Sequence, residues 1–318
     1  MFKYDVLCVG SATVDRFLTV NQSLMSIIPG DKILARNLEI HSGGGSTNSA
    51  VALAKLGLNV KVLTKLGHDH EAEFIEQELK RYNIKNICRT RAKKNTDSST
   101  IIFSTSDKDR VVYNYKGASQ ELLFHDLPRL YSRATWFYLA SLVGKSFTAL
   151  SLLAEYAEKK HTSILFNPSL YLATKGKKYL HPILRRTELL VLNKKEAQTL
   201  LNSHSSHHQF LLQSLHYLGP RIVVITNGPK TIYALHENSF YSIKPPNVKV
   251  AHTLGAGDAF TSGLLAGIVK GYSFEKALQL GVANSTSLIQ KVGAKNGLLD
   301  EREALSMIKR YKMKVSRR

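Results

Sequence analysis

The residues best suited to chemistry lie at positions 252–260, which read HTLGAGDAF. Small residues at the start of a helix leave the backbone N–H groups of Gly255, Ala256 and Gly257 free to converge on an anion, and the helix dipole adds to the attraction. Asp258 follows directly and can accept the proton of an attacking hydroxyl group. The pattern indicates phosphoryl transfer. Its alternative interpretation is a tight glycine turn in which Asp258 only caps a helix.

A second glycine motif covers residues 43–48, which read GGGSTN at another predicted junction between a loop and a helix. The side-chain amide of Asn48 can hydrogen-bond sugar hydroxyls. No GK[ST] follows the glycines, so this is not a Walker A loop, and the spacing differs from that of the GxGxxG dinucleotide-binding motif. Both of those common nucleotide-binding interpretations are therefore excluded.

Buried strands alternate with helices along most of the chain. Apolar runs predict strands at 4–9, 60–66, 136–139, 164–166, 189–192 and 222–225. Apolar positions at helical spacing predict helices at 47–56, 256–270, 274–291 and from 300 into the C-terminal residues. This alternation predicts an α/β fold with a mainly parallel, doubly wound central sheet.

Other segments do not fit the central sheet. Residues 33–40 alternate between apolar and polar, as a half-exposed strand does, and they lead into the second glycine motif. Two short strands at 99–105 and 111–115 flank a polar turn and predict an antiparallel hairpin separate from the main sheet. Asp15 is expected just past the carboxyl end of the first strand.

Composition indicates one globular domain in a reducing compartment. The 318 residues include 43% hydrophobic and 21% charged residues, and the two cysteines have neither disulfide nor zinc spacing. No signal peptide or membrane span is predicted, so a cytoplasmic location is expected. The net charge of +20 is spread along the chain and is densest at residues 309–318. No nucleic-acid motif accompanies it, so a solvated basic surface is favoured over nucleic-acid binding.

Together the two motifs resemble the paired signatures of the ribokinase-like (PfkB) carbohydrate kinase family, GGxxxNxAxxxxxLG and DTxGAGDxF. The first reads GGGSTNSAVALAKLG at residues 43–57, and the second reads HTLGAGDAF at residues 252–260. The resemblance implies a single ribokinase-like domain over residues 1–318, with three α/β/α layers. It also implies a small β-sheet lid from segments of about 12–40 and 98–117, followed by a basic tail at about 309–318.

The resemblance implies an ATP-dependent kinase in which the acceptor hydroxyls are held by the first loop and by the glycine motif at residues 43–48. The matching positions are Asp15, Gly44, Gly45 and Asn48. Members that act on sugar phosphates tend to carry a TLNPxxD loop, whereas residues 10–15 here read GSATVD. An unphosphorylated sugar is therefore the expected acceptor, and a nucleoside is the alternative.

The resemblance also implies positions for the nucleotide and its metal. Asn193 and Glu196 match the family's NxxE motif, which organises Mg²⁺ around the phosphates, with Glu196 on the metal side. Thr226 and Gly228 match the turn that binds the nucleotide, and Asn284 matches a position beside the adenine. ATP and Mg²⁺ are thus the expected cofactors.

Two positions depart from the family pattern. His252 stands where the family has an Asp that binds a monovalent cation, so activation by K⁺ is in doubt, and Thr231 replaces a glycine of the nucleotide turn. These changes keep open a function of another class, a catalytically weak sensor of sugars or nucleotides. A homodimer that forms through the lid also stays open.

Overall fold

The computed structural model describes residues 4–126 and 134–318. Within this part of the chain the strands are β1 (Tyr4–Val9), β2 (Thr13–Val20), β3 (Asn37–Gly43), β4 (Val60–Leu63), β5 (Lys85–Asn86), β6 (Asp97–Ser104), β7 (Asp109–Tyr115), β8 (Ala134–Ala140), β9 (Ser163–Asn167), β10 (Leu189–Asn193), β11 (Ile222–Thr226), β12 (Ile232–His236), β13 (Ser239–Ile243) and β14 (Val315–Arg317). The helices are α1 (Gly45–Lys55), α2 (His70–Arg81), α3 (Lys145–Lys159), α4 (Leu170–Ala173), α5 (Gly176–Leu184), α6 (Lys194–Leu201), α7 (His208–His216), α8 (Ala256–Val269), α9 (Phe274–Leu288) and α10 (Glu301–Arg310). The single-domain prediction also covers residues 1–3 and 127–133, which lie outside the described residues.

Ten strands form the central sheet, in the order β14-β13-β12-β11-β10-β9-β8-β1-β4-β5. The strands from β11 to β5 pair in parallel, whereas β12, β13 and β14 extend one edge in antiparallel fashion. The mainly parallel sheet predicted from the sequence is confirmed. Because parallel strands all end at the same edge, the loops that follow them meet there, which is where α/β folds place their ligands.

Helices cover both faces of this sheet because its strands are apolar on both faces. In β1, Val6 and Cys8 pack into one apolar cluster with residues of α1, α8 and α9. Leu7 and Val9 point to the opposite face and pack with residues of α3, α5 and α7. The predicted three layers of helix, sheet and helix are confirmed.

A separate four-stranded sheet, here called the lid sheet, has the order β3-β2-β6-β7. β2 pairs with β6 in parallel, and the two outer pairs are antiparallel, so the predicted β6–β7 hairpin is confirmed. The bounds of one strand and the placement of Asp15 differ from the sequence prediction. The half-exposed strand expected at 33–40 runs from Asn37 to Gly43 and leads directly into α1, and Asp15 lies inside β2 rather than in a loop after β1.

The basic residues expected to form a tail contribute a strand to the central sheet. Val315–Arg317 pairs with β13, and the backbone N–H of Arg318 donates to Phe240 O at 2.9 Å. The polar sequence of this segment gives no strand signal, because its pairing is set by the backbone of β13 and not by an apolar face. Among the described residues, no helix is long and apolar enough to cross a lipid bilayer.

Candidate active site

A side chain from α1 holds the carboxylate of Asp258 at the amino-terminal end of α8. Asn48 Nδ2 donates a hydrogen bond to Asp258 Oδ2 at 2.9 Å. This bond brings the two glycine motifs together in space. Asn48 Oδ1 is buried and has no hydrogen-bond partner among the described residues, so it is available to accept a hydrogen bond from a ligand hydroxyl.

Burial controls the ionisation of Asp258. Loss of water around the carboxylate raises its pKa to about 6, and the negative charge of Asp15 adds to this increase. The hydrogen bond from Asn48 and the positive charge of Lys295 lower the pKa and oppose part of it. A carboxylate with a pKa near neutrality is well matched to the work of a general base.

The turn before α8 presents backbone N–H groups next to this carboxylate. Gly255 has a φ of +77°, a left-handed conformation that favours glycine, and a Cβ there would lie 2.8 Å from Ala294 Cβ. The Ala256 N–H donates to a backbone oxygen at 3.3 Å. Within the described residues, the N–H groups of Gly255 and Gly257 have no acceptor. Free amides at the start of a helix form a site for an anion.

Asp15 lies across the cavity in β2, between His41 of β3 and Ser99 of β6. It is 5% exposed. Burial raises the pKa of its carboxyl, although a hydrogen bond from Ser99 and the charge of Lys295 lower it. A Cβ at Gly43 would lie 2.1 Å from Asp15 Oδ2, so the carboxylate occupies the space that a side chain at position 43 would need.

The next two glycines bring the backbone close to the ends of the central strands. Gly44 has a φ of +96°, and a Cβ there would lie 2.4 Å from Ser11 O. A Cβ at Gly45 would lie 2.8 Å from Ala140 Cβ. Any larger residue would push this turn away from the sheet.

Most of the predicted site residues share one cavity of about 540 Å³ at the carboxyl ends of the parallel strands. Those that line it are Asp15, Gly44, Gly45, Asn48, Asn193, Glu196, Thr226, Gly255, Gly257 and Asp258. Ala256 lies between Gly255 and Gly257, in what is here called the anion-binding turn (residues 255–257). Gly228, with a φ of +55°, follows β11 just beyond Thr226.

Asn284 is the predicted site residue that the structure does not bring to the cavity. It is fully buried on α9. Its Nδ2 donates to Ala259 O at 3.0 Å, and its Oδ1 accepts from Leu299 N–H at 3.1 Å. With both ends of the amide used inside the protein, Asn284 joins α9 to α8 and to the segment that follows α9.

The NxxE motif folds as a reciprocal cap of α6. Asn193 Oδ1 accepts from Glu196 N–H at 2.9 Å, and Glu196 Oε2 accepts from Asn193 N–H at 2.8 Å. Burial, together with the charge of Asp258, raises the pKa of Glu196 to about 7, although the hydrogen bonds from Asn193 lower it. Asn193 also lies directly opposite Thr226 in the pairing of β10 with β11, so both face the same end of the cavity.

This end of the cavity fits Mg²⁺ carried by a nucleotide. Mg²⁺ binds through one or two carboxylates together with phosphate oxygens, and not through a dedicated protein cage. Glu196 is a partly buried carboxylate with no ion pair among the described residues, so a cation beside it would favour its ionised form.

His252 occupies the position that departs from the family pattern. Its Nδ1 accepts a hydrogen bond from Leu254 N–H at 3.0 Å, and its ring packs edge-on against Phe17 of the lid sheet, with centroids 4.9 Å apart. Burial and the positive charge of Arg110 lower the pKa of His252, so the neutral imidazole is favoured. The residue offers no carboxylate oxygen to a cation.

Lys295 is the residue of this site that sequence reasoning missed. It is 5% exposed, and its charge acts on both Asp15 and Asp258. The chain has 44 lysines and arginines, so one more lysine after α9 carries no signal of its own. Its burial is visible only in the folded protein.

Residues 3–302 match the pfkB family carbohydrate kinase, so the chain belongs to this family. It is a sugar or nucleoside kinase, and kinases of this family use ATP with Mg²⁺.

The relatives differ in their acceptors. The chain is 23% identical to an ATP-dependent 6-phosphofructokinase of Thermoanaerobacterium thermosaccharolyticum, over 92% of this chain and 90% of the relative. It is 23% identical to a ribokinase of Staphylococcus aureus, over 91% and 94% of the two chains. The crystal structure of a nucleoside kinase from Methanocaldococcus jannaschii superimposes with a TM-score of 0.79 at 22% identity, covering 98% of this chain and 100% of the other. This likeness confirms the ribokinase fold.

Proposed function

We propose that this protein transfers the γ-phosphoryl group of ATP to a hydroxyl of a small unphosphorylated sugar, with Asp258 as the general base. The observation that carries the proposal is the Asp258 carboxylate, held by Asn48 at 2.9 Å inside the shared cavity with a pKa raised to about 6. The carboxylate takes the proton of the acceptor hydroxyl, whose oxygen then bonds to the γ-phosphorus. The bond from that phosphorus to the bridging oxygen breaks, and ADP leaves with its electrons.

The anion-binding turn stabilises the charge that develops on the phosphoryl oxygens. The N–H groups of Gly255 and Gly257 have no other acceptor among the described residues, and they lie at the positive end of the α8 dipole. Fixed donors of this kind need no reorganisation during the reaction. Ala256 lies between these two glycines as the first residue of α8.

Mg²⁺ would neutralise charge on the ATP phosphates when it is bound. Glu196 would hold it on the protein side, and Asn193 fixes the Glu196 carboxylate through the reciprocal cap. Thr226 ends the neighbouring strand β11 and Gly228 lies two residues beyond it, and both would contact the nucleotide. The ATP end of the cavity thus lies at the ends of β10 and β11.

The acceptor end is built to bind hydroxyl groups. The Asp15 carboxylate and Asn48 Oδ1 are hydrogen-bond acceptors, and the turn at Gly44 and Gly45 lets a small ring approach the backbone. A free sugar presents several hydroxyl donors on one small ring. A nucleoside is the second candidate, because a ribose presents the same groups and Tyr171 lines the cavity where it could stack on a base.

The test is a screen of the purified protein with Mg-ATP against free sugars, sugar phosphates and nucleosides, measuring ADP release. We expect release that depends on a free sugar and is abolished in Asp258→Asn. Release with nucleosides alone would favour the second candidate, and release with sugar phosphates alone would contradict the unphosphorylated acceptor. ATP binding without release for any acceptor would support the sensor and would overturn the kinase proposal.

A further inference from the structure

Lys295 places an ammonium group deep inside the protein, between α2 and the lid sheet. It is 5% exposed and donates to Glu78 Oε2 at 2.6 Å and to Ser42 Oγ. Ser42 is the residue of β3 immediately before Gly43, whose Cα adjoins the Asp15 carboxylate. Lys295 therefore supports β3, the strand that leads into the turn at Gly44 and Gly45, here called the acceptor-binding turn.

The residue before it supports the other half of the site. Ala294 lies against the anion-binding turn so closely that a Cβ at Gly255 would come within 2.8 Å of Ala294 Cβ. The end of α9, which leads to Ala294, is bonded to the residues that precede that turn, because Ala251 N–H donates to Ile289 O at 2.8 Å. Two consecutive residues, Ala294 and Lys295, thus contact the anion-binding side and the acceptor side.

Burial lowers the pKa of the Lys295 ammonium, and the charges of three carboxylates on three different elements oppose this decrease. They are Glu78 on α2, Asp15 on β2 and Asp258 on α8. Asp15 also has Lys116 and His41 nearby, whereas Lys295 is the cation that acts on Asp258. A buried ammonium costs several kcal/mol of desolvation, so an ion pair with Glu78 alone would be a poor source of stability.

We propose that Lys295 is a positioning residue of the phosphotransfer site: together with Ala294 it holds the turn at residues 43–45 and the turn at residues 255–257 in place, and its charge favours the ionised form of Asp258. This inference rests on the proposed function. The competing interpretation is an ion pair that serves folding only. The two differ in what happens to the ionisation of Asp258 when the ammonium is removed.

The kinetic test compares Glu78→Gln with the double variant Glu78→Gln/Lys295→Met. The double variant removes both members of the hydrogen-bonded pair, so neither Lys295 nor Glu78 is left as a lone charge. A thermal melt of each variant checks that it is folded before its kinetics are compared. We expect the acidic limb of the kcat profile to lie about one pH unit higher in the double variant than in Glu78→Gln, because Asp258 loses the charge that favours its ionised form. Lys295→Arg keeps a positive charge and should keep the limb of the wild type. If the acidic limbs of the kcat profiles lay at the same pH in all variants, Lys295 would have a structural role only.

A second measurement does not depend on finding the acceptor. The Asp258 carboxyl carbon can be titrated by NMR in protein labelled with [4-¹³C]aspartate, and Asp258→Asn identifies its signal. The double variant should titrate at higher pH than Glu78→Gln, and equal titration would overturn the inference. If the wild type released no ADP with any acceptor, the proposed function would fail, while this titration would still decide whether Lys295 acts on Asp258.

Discussion

Asn48 and Asp258 are 210 residues apart in the chain, and the amide of the first donates to the carboxylate of the second at 2.9 Å. This contact makes the two glycine motifs parts of one site. In the proposed mechanism one end of the Asn48 amide orients the Asp258 carboxylate, and the other end, which has no partner among the described residues, binds the acceptor. A substitution of either residue should therefore change the behaviour of the other.

Asp258→Asn should lower turnover by at least about a hundredfold, since removal of a general base costs this much or more. ATP binding, measured by calorimetry, should survive, because the anion-binding amides belong to the backbone. Asp31→Asn is a matched control on an exposed loop and should have normal turnover. Near-normal turnover of Asp258→Asn would show that another group takes the proton.

Asp15→Ala and Asn48→Ala should raise the KM for the acceptor much more than the KM for ATP. In the proposed site both side chains hold the acceptor, whereas Asn193 and Thr226 are on the nucleotide side. Asn48→Ala should also move the acidic limb of the kcat profile to higher pH, because the lost hydrogen bond had lowered the pKa of Asp258. Equal effects on both KM values would place these side chains outside the acceptor site.

The raised pKa of Asp258 predicts a cost in stability at neutral pH. The folded protein holds this proton more tightly than the unfolded chain, since the pKa is about 6 and not the ordinary 3.8. The proton on Asp258 therefore stabilises the folded protein fully below pH 3.8, and this stabilisation is lost as the pH rises through about 6. Asp258→Asn should therefore melt at a higher temperature than the wild type at pH 8, by a margin that shrinks toward pH 4. A margin that does not change with pH would contradict this assignment.

Glu196→Gln should raise the Mg²⁺ concentration needed for half-maximal activity by about tenfold, a loss typical of weakened metal sites. The chain supplies a matched control in Glu303→Gln, because Asp300 and Glu303 form the same reciprocal cap on α10. Each variant should weaken the cap of its own helix, whereas only the first should change the Mg²⁺ requirement. If both variants needed the same Mg²⁺ concentration, Glu196 would act as a helix cap only.

Activity should be the same in K⁺, Na⁺ and choline salts at equal ionic strength. The neutral imidazole of His252 accepts from Leu254 N–H and offers no carboxylate oxygen to a cation. His252→Asp should gain stimulation by K⁺, measured as ADP release. Stimulation of the wild type by K⁺ would show that other oxygen atoms bind the cation.

Local signals predicted much of this site because each motif has its own physical mark. The glycines at residues 43–45 and the turn at 255–257 indicate that the backbone comes close to a ligand, and the apolar runs predict the parallel strands. Their boundaries were less certain: α1 begins at Gly45 and not at residue 47, since its first turn contains a glycine and polar residues.

The features that sequence reasoning missed depend on distant partners. Asn284 has no local mark to show that both ends of its amide bond to other segments. Lys295 reaches Ser42 and Glu78 across 253 and 217 residues, and β14 is a strand only because β13 offers an edge. Such contacts come from tertiary packing, which overrides local preference.

The close approach of Gly43 to Asp15 sets a limit on any attempt to redesign acceptor choice by directed evolution. Every side chain at position 43 would displace the Asp15 carboxylate, so a library randomised there would consist mainly of inactive proteins. Ser99 lies opposite Asp15 in the lid sheet, and Asn114 lies opposite Ser99, with both side chains lining the cavity. Ser99 also hydrogen-bonds the Asp15 carboxyl, so Asn114, one strand further from Asp15, is the position where a change of substrate should be sought.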